Sequence, residues 1–139
     1  MDVAVRGRSG VRSYRLTVPN APDSVRVVRD HVAVVVAHGG LGEVADTARL
    51  LVSELVTNTW RHTTGPLVTV ITTLRGDRVT VSVHDGSGAA LPTPREAPPE
   101  AGSGRGLWLV HTMASAWGVS RGSGQCWKSV WFELRRGGR

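Results

Sequence analysis

The sequence has little with which to form disulfides, hold zinc or cross a membrane. Its one cysteine, Cys126, excludes an internal disulfide and is typical of a reducing compartment. The longest apolar run, residues 32–37, is far shorter than the roughly 20 residues of a membrane helix. Neither a secretory signal pattern nor a zinc-like spacing of Cys and His is present. These absences predict one cytoplasmic domain, over residues 14–134, with no membrane partner.

Lysine is almost absent as well, and arginine carries the charge. Lys128 is the only lysine, yet 17 basic residues against 11 acidic ones give a net charge of +6. The arginines are scattered along the whole chain, and no helix-turn-helix, zinc-finger or aromatic RNA-binding signature accompanies them. This distribution argues against direct nucleic-acid binding and leaves an anionic nucleotide or an acidic protein as alternatives.

Residues 51–62 are the stretch of the sequence that says most about function. They contain no Gly or Pro, and apolar residues recur at three- and four-residue steps, which predicts an amphipathic helix. Glu54 and Asn58 lie one turn apart on the polar face, with Arg61 and His62 one turn further. An amide oxygen suits Mg²⁺, and a carboxylate can take a proton from a hydroxyl or a water. On this helix alone, a solvated polar face is the simpler interpretation.

Alternation and turn residues predict the other elements. The apolar face of a first helix, over residues 25–37, is consistent with either core or a homodimer interface. Before that helix we predict a loose basic arm over 1–13 and a strand over 14–18. After the second helix we predict a hairpin of strands 67–74 and 79–83 around a turn at 75–78, and then a long loop over 89–103. The last predicted elements are a helix from about 107 with Trp117 on one face, a strand over 130–134 and a polar tail over 135–139.

Asp85 continues the spacing of the core-facing valines of strand 79–83. Its carboxylate should therefore point inward at the strand end, where an unpaired charge is costly. Gly86-Ser87-Gly88 follows directly. A second glycine cluster, Gly104-Arg105-Gly106, precedes a helix, where backbone amides and the helix dipole favour phosphate.

Taken in order, these motifs resemble the ATP-binding domain shared by gyrase, Hsp90, histidine kinases and MutL. They are most similar to the small anti-sigma-factor serine kinases. Residues 53–58, with the Arg-His pair that follows, are similar to the family's N box, 83–88 to its first glycine box, 104–110 to its second, and 128–134 to its usual ending. The resemblance covers residues 14–134. Two departures are Ser87, where many members have glycine, and Gln125-Cys126-Trp127-Lys128, which replaces the G-T-T before the last strand.

The resemblance implies an α+β fold of the Bergerat type, a two-layer sandwich of a mixed, mostly antiparallel sheet with helices on one face. It implies ATP and Mg²⁺ as cofactors, with Asn58 as the metal ligand. Glu54 would be the general base that activates an acceptor serine, and Asp85 would accept the adenine amino group. The implied cofactor-binding residues are Asn58, Arg61, His62, Asp85, Gly86, Gly88, Gly104, Arg105, Gly106, Leu107 and Lys128.

Three functions are consistent with these motifs. The first is an ATP-dependent protein serine kinase, whose implied partners are a sigma factor and an anti-anti-sigma protein that carries the target serine. The second is a non-catalytic ATP-binding regulatory module. The third is a basic nucleic-acid binder with a degenerate ATP site, against which the dispersed arginines argue. Glu54 favours the kinase, because simple binding needs no base beside a metal ligand.

Overall fold

The computed structural model describes residues 2–8, 10–85, 105–121 and 128–137, and within these ranges the side chains of 10–85, 106–120 and 128–137. Six strands and three α-helices are found there. In chain order they are β1 (Asp2–Arg8), β2 (Val11–Pro19), α1 (Ser24–His38), a short 3-10 turn (Gly42–Val44), α2 (Ala45–His62), β3 (Leu67–Arg75), β4 (Arg78–Asp85), α3 (Arg105–Met113), β5 (Ala116–Arg121) and β6 (Lys128–Arg135).

The strands form a single sheet in the order β1-β2-β3-β4-β6-β5. Each neighbouring pair is antiparallel, so the described strands contain no parallel pair that a mixed sheet would need. Alternate residues of β3 and β4 are buried and join the valines and leucines of the helices in one core. The predicted α+β fold, with helices on one face of the sheet, is therefore confirmed.

Helix α1 shows why that core forms. Val28, Val32, Val35 and Val36 are spaced at three- and four-residue steps and are all buried against the sheet and α2. Those residues are core rather than a free interface, and a homodimer stays a prediction. The helix ends at His38, one residue beyond the predicted end, and Gly40 adopts a φ of +86° that favours glycine.

Two parts of the chain differ from the sequence prediction. Residues 2–8 form β1, which pairs with β2, whereas a loose arm was predicted over 1–13. Trp117 lies in β5 opposite Phe132 and not on the preceding helix, which ends at Met113. The residue spacing alone allowed both positions for Trp117. Pairing with β6 decides between them, and the Trp117 indole N–H also donates to His111 Nδ1 over 3.1 Å.

The hairpin of β3 and β4 is confirmed, with a tighter turn than predicted. Arg75 and Arg78 still pair across the strands, so only Gly76 and Asp77 form the turn. Gly76 has a φ of +59°, which suits a two-residue hairpin loop. β6 reaches Arg135, one residue into the predicted tail. The predicted loop over 89–103 lies outside the described residues. None of the helices described is long and apolar enough to span a bilayer.

Candidate functional site

Glu54 and Asn58 lie on the half-buried side of α2, next to the first turn of α3. The contact runs through Gly106, which is buried. A Cβ atom on Gly106 would lie 3.0 Å from Asn58 Nδ2, 3.0 Å from Glu54 Cβ and 3.4 Å from the Glu54 carbonyl oxygen. A residue without a side chain therefore allows this close approach. The structure thus brings together the helical Glu/Asn pair and Gly106 of the second glycine cluster, which the sequence presented as separate signals.

Apolar residues hold α3 in this position. Leu107 and Val110 are buried in the core, as is Leu51 on the same side of α2 as Glu54. The polar side of α2 is therefore partly covered, and the interpretation of a merely solvated face is wrong. The first-turn N–H groups of α3 have no intrahelical acceptor, and together with the helix dipole they favour an anion.

The oxygen donors of this junction fit a divalent cation that arrives with a nucleotide. Among the residues described, no cluster of three or more His, Cys, Asp and Glu residues could hold a resident metal ion. Mg²⁺ usually takes only one or two protein oxygens and completes its shell with water and phosphate oxygens. Asn58 carries one amide oxygen of this kind, lies one helical turn from Glu54 and packs beside the first turn of α3, whose N-terminus suits phosphate.

Asp85 is the last residue of β4 and is only 5% exposed, as its spacing predicted. Its directly opposite neighbours are Val68 on β3 and Lys128 on β6. Lys128 is 6% exposed. Two buried residues of opposite charge therefore lie directly opposite each other on the helix-covered face of the sheet.

His84, next to Asp85, lies on the opposite face of the sheet. Its Nε2 is 2.9 Å from the Ser82 hydroxyl. Burial lowers the pKa of His84 below its ordinary value of 6.5, and the Asp85 carboxylate opposes that shift only in part. The imidazole is consequently neutral at neutral pH.

The other predicted site residues are less closely tied to this region. Arg61 and His62 are exposed in the last turn of α2. Arg61 lies over the Trp60 ring, 5.8 Å from its centroid, and no described hydrogen bond or ion pair holds either residue beside Glu54. Leu107 has its side chain in the core, so only its backbone can face a ligand. Gly86, Gly88, Gly104 and the Arg105 side chain lie outside the described residues.

Sequence reasoning missed the pairing of Asp85 with Lys128. One signal was available, because Lys128 is in phase with the buried Val130, Phe132 and Leu134 of β6. That spacing predicts an inward-facing lysine. The partner opposite it depends on the register between two strands more than 40 residues apart in sequence, which no local pattern reveals.

The chain matches a model of a known protein family. A family model described as a histidine kinase-like ATPase domain matches residues 18–131, which is well over half of the chain. The matched range contains Glu54, Asn58, Asp85, Gly106 and Lys128. A search of curated proteins gives no match.

Proposed function

The chain belongs to the histidine kinase-like ATPase domain family, and we propose that within this family it is a protein serine kinase of the anti-sigma-factor type. It phosphorylates a serine of an anti-anti-sigma protein and thereby controls a sigma factor in the cytoplasm. The observation that carries this proposal is the position of Glu54, one turn from Asn58 and packed against the first turn of α3. The order of the sequence motifs supports the same family of kinases.

Each side chain of the site has a role in holding the nucleotide. Asp85 accepts a hydrogen bond from the adenine amino group, which gives this buried carboxylate a reason to be at the strand end. The first turn of α3 binds phosphate oxygens through its N–H groups, and Gly106 lets this turn lie close to Asn58. Asn58 supplies an amide oxygen to Mg²⁺.

Glu54 favours a kinase over a protein that only binds ATP. A carboxylate beside phosphates repels them, so binding alone would favour a neutral residue at this position. A role as general base explains why a carboxylate is present despite this repulsion, because a base within reach of the target serine accelerates phosphoryl transfer. When bound, Mg²⁺-ATP would supply the γ-phosphoryl group, which passes to the serine oxygen while ADP leaves. Glu54 takes the serine hydroxyl proton, and the helix N-terminus stabilises the negative charge of the phosphates.

The test is transfer of a labelled γ-phosphate to the serine of a candidate anti-anti-sigma protein. Glu54→Gln keeps size and hydrogen-bonding reach but is a far weaker base, so transfer should fall on the order of a hundred- to ten-thousandfold. ATP binding should persist or improve. Glu43→Gln is the matched control, since Glu43 is exposed and lies outside the site, and it should transfer normally.

Two outcomes would contradict the proposal in different ways. Full transfer by Glu54→Gln would remove Glu54 as the base. Intact ATP binding with no transfer by the unaltered protein to any such partner would instead favour a non-catalytic ATP-binding regulatory module.

A further inference from the structure

Lys128 is an unusual residue for its position. It is the only lysine of the chain, and it is 6% exposed at the first residue of β6. Lysine is among the residues least often buried, because its ammonium group loses hydration unless a partner compensates. A role in keeping the protein soluble does not explain this lysine, since the positive charge of the protein is otherwise carried by arginine.

The partner follows from the sheet register. Lys128 lies directly opposite Asp85 in the antiparallel pair of β4 and β6. Both residues are on the helix-covered face, in phase with the buried pair of Val83 and Val130. Cβ atoms of directly opposite residues are about 4.5–5.5 Å apart, within reach of a lysine and an aspartate. Since the other neighbour of Asp85 is the apolar Val68, Lys128 is the charged cross-strand group beside it.

We propose that Lys128 is a base-recognition residue that donates a hydrogen bond to N1 of adenine. The proposal rests on the nucleotide site described above and on Asp85 facing the base. The adenine edge presents an amino donor next to a ring-nitrogen acceptor. Asp85 and Lys128 present the complementary acceptor and donor side by side, so the pair matches that edge with two hydrogen bonds. Lys128 also compensates the Asp85 carboxylate whenever no nucleotide is bound.

The experiment compares ATP with its 1-deaza analogue, which keeps the amino group but lacks the N1 acceptor. Equilibrium titration should show the unaltered protein binding the analogue about tenfold to a hundredfold more weakly, the effect of losing a hydrogen bond to a charged group. Lys128→Met should bind ATP more weakly and should no longer distinguish the two ligands. Lys128→Arg, which restores a cationic donor, should recover part of the discrimination.

Arg75→Met is the control, because it removes one exposed positive charge outside the site. It should leave both affinities and their ratio unchanged, which separates a local contact from the general attraction of a basic protein for ATP. The measurement on the unaltered protein needs no variant to fold, so a poorly folded Lys128→Met does not prevent the test.

Equal binding of ATP and the analogue by the unaltered protein would overturn the proposal. An equal loss of affinity for both ligands in Lys128→Met would also overturn the proposal, since Lys128 would then only hold Asp85 in position. Neither result bears on phosphotransfer. Conversely, normal discrimination without transfer would overturn the kinase and leave Lys128 as a base-recognition residue.

Discussion

The two faces of the sheet differ at the end of β4. On the helix-covered face, the paired rows of β4 and β6 are apolar as far as Val83 and Val130, and then change abruptly to Asp85 and Lys128. On the opposite face, His84 is neutral and shares a hydrogen bond with the Ser82 hydroxyl. An apolar pair would suit the covered face better, because charged side chains are costly to bury. Two charged residues at this position are consistent with the proposed adenine site.

Gly106 and Gly118 are both closely surrounded, but by different kinds of neighbour. A Cβ on Gly118 would lie 2.8 Å from the Trp131 ring, which faces it across β5 and β6. This glycine makes room for packing on the open face. The neighbours of Gly106 are instead Glu54 and Asn58. The same steric requirement thus serves packing at one position and a polar junction at the other.

Truncating each of the two residues that end β4 should give the largest difference between the two faces. Asp85→Ala should abolish measurable ATP binding or weaken it about tenfold or more, because a hydrogen bond to a charged group is worth roughly 1.5–3 kcal/mol. His84→Ala should leave the affinity unchanged. Calorimetric titration measures both, and thermal unfolding identifies variants that remain folded. Unchanged ATP affinity in a folded Asp85→Ala variant would remove Asp85 from the site.

The second test applies one small substitution to the two glycines. Gly106→Ala forces Asn58 and Glu54 to shift by a few tenths of an ångström and should lower ATP affinity severalfold. Gly118→Ala displaces the Trp131 ring and should lower the free energy of unfolding by about 1–3 kcal/mol, with ATP affinity preserved. Calorimetry and denaturant unfolding separate the two effects. Loss of affinity in Gly118→Ala alone would reverse the assignment.

The smallest effect concerns pH. Burial lowers the pKa of His84 and of His31, whose Nε2 is buried with no hydrogen-bond partner among the described residues. The unfolded chain takes up protons below about pH 6.5, before the folded chain does, so the free energy of unfolding should fall as the pH drops through that region. Thermal unfolding between pH 7.5 and 5 measures this. His84→Asn should reduce the slope, and an unchanged slope in that variant would rule out His84 as a contributor.

Local spacing was enough to predict where several residues of the candidate site lie in the fold. The three- and four-residue steps of α2 placed Glu54 and Asn58 together, and the two-residue steps of β4 turned Asp85 inward. Gly106 against Glu54 could not be derived in this way, because the contact joins elements about 50 residues apart. Strand pairing likewise decides the positions of β1, of Trp117 and of Lys128 opposite Asp85.

We propose that the junction of α2 and α3 holds the phosphates of ATP through a metal ion bound by Asn58. The decisive measurement is ATP affinity with and without Mg²⁺ in the unaltered protein and in Asn58→Ala. We expect Mg²⁺ to strengthen binding to the unaltered protein, and Asn58→Ala to lose most of this gain while its metal-free affinity changes little. An equal loss with and without Mg²⁺ would contradict it, since Asn58 would then serve packing rather than the ion.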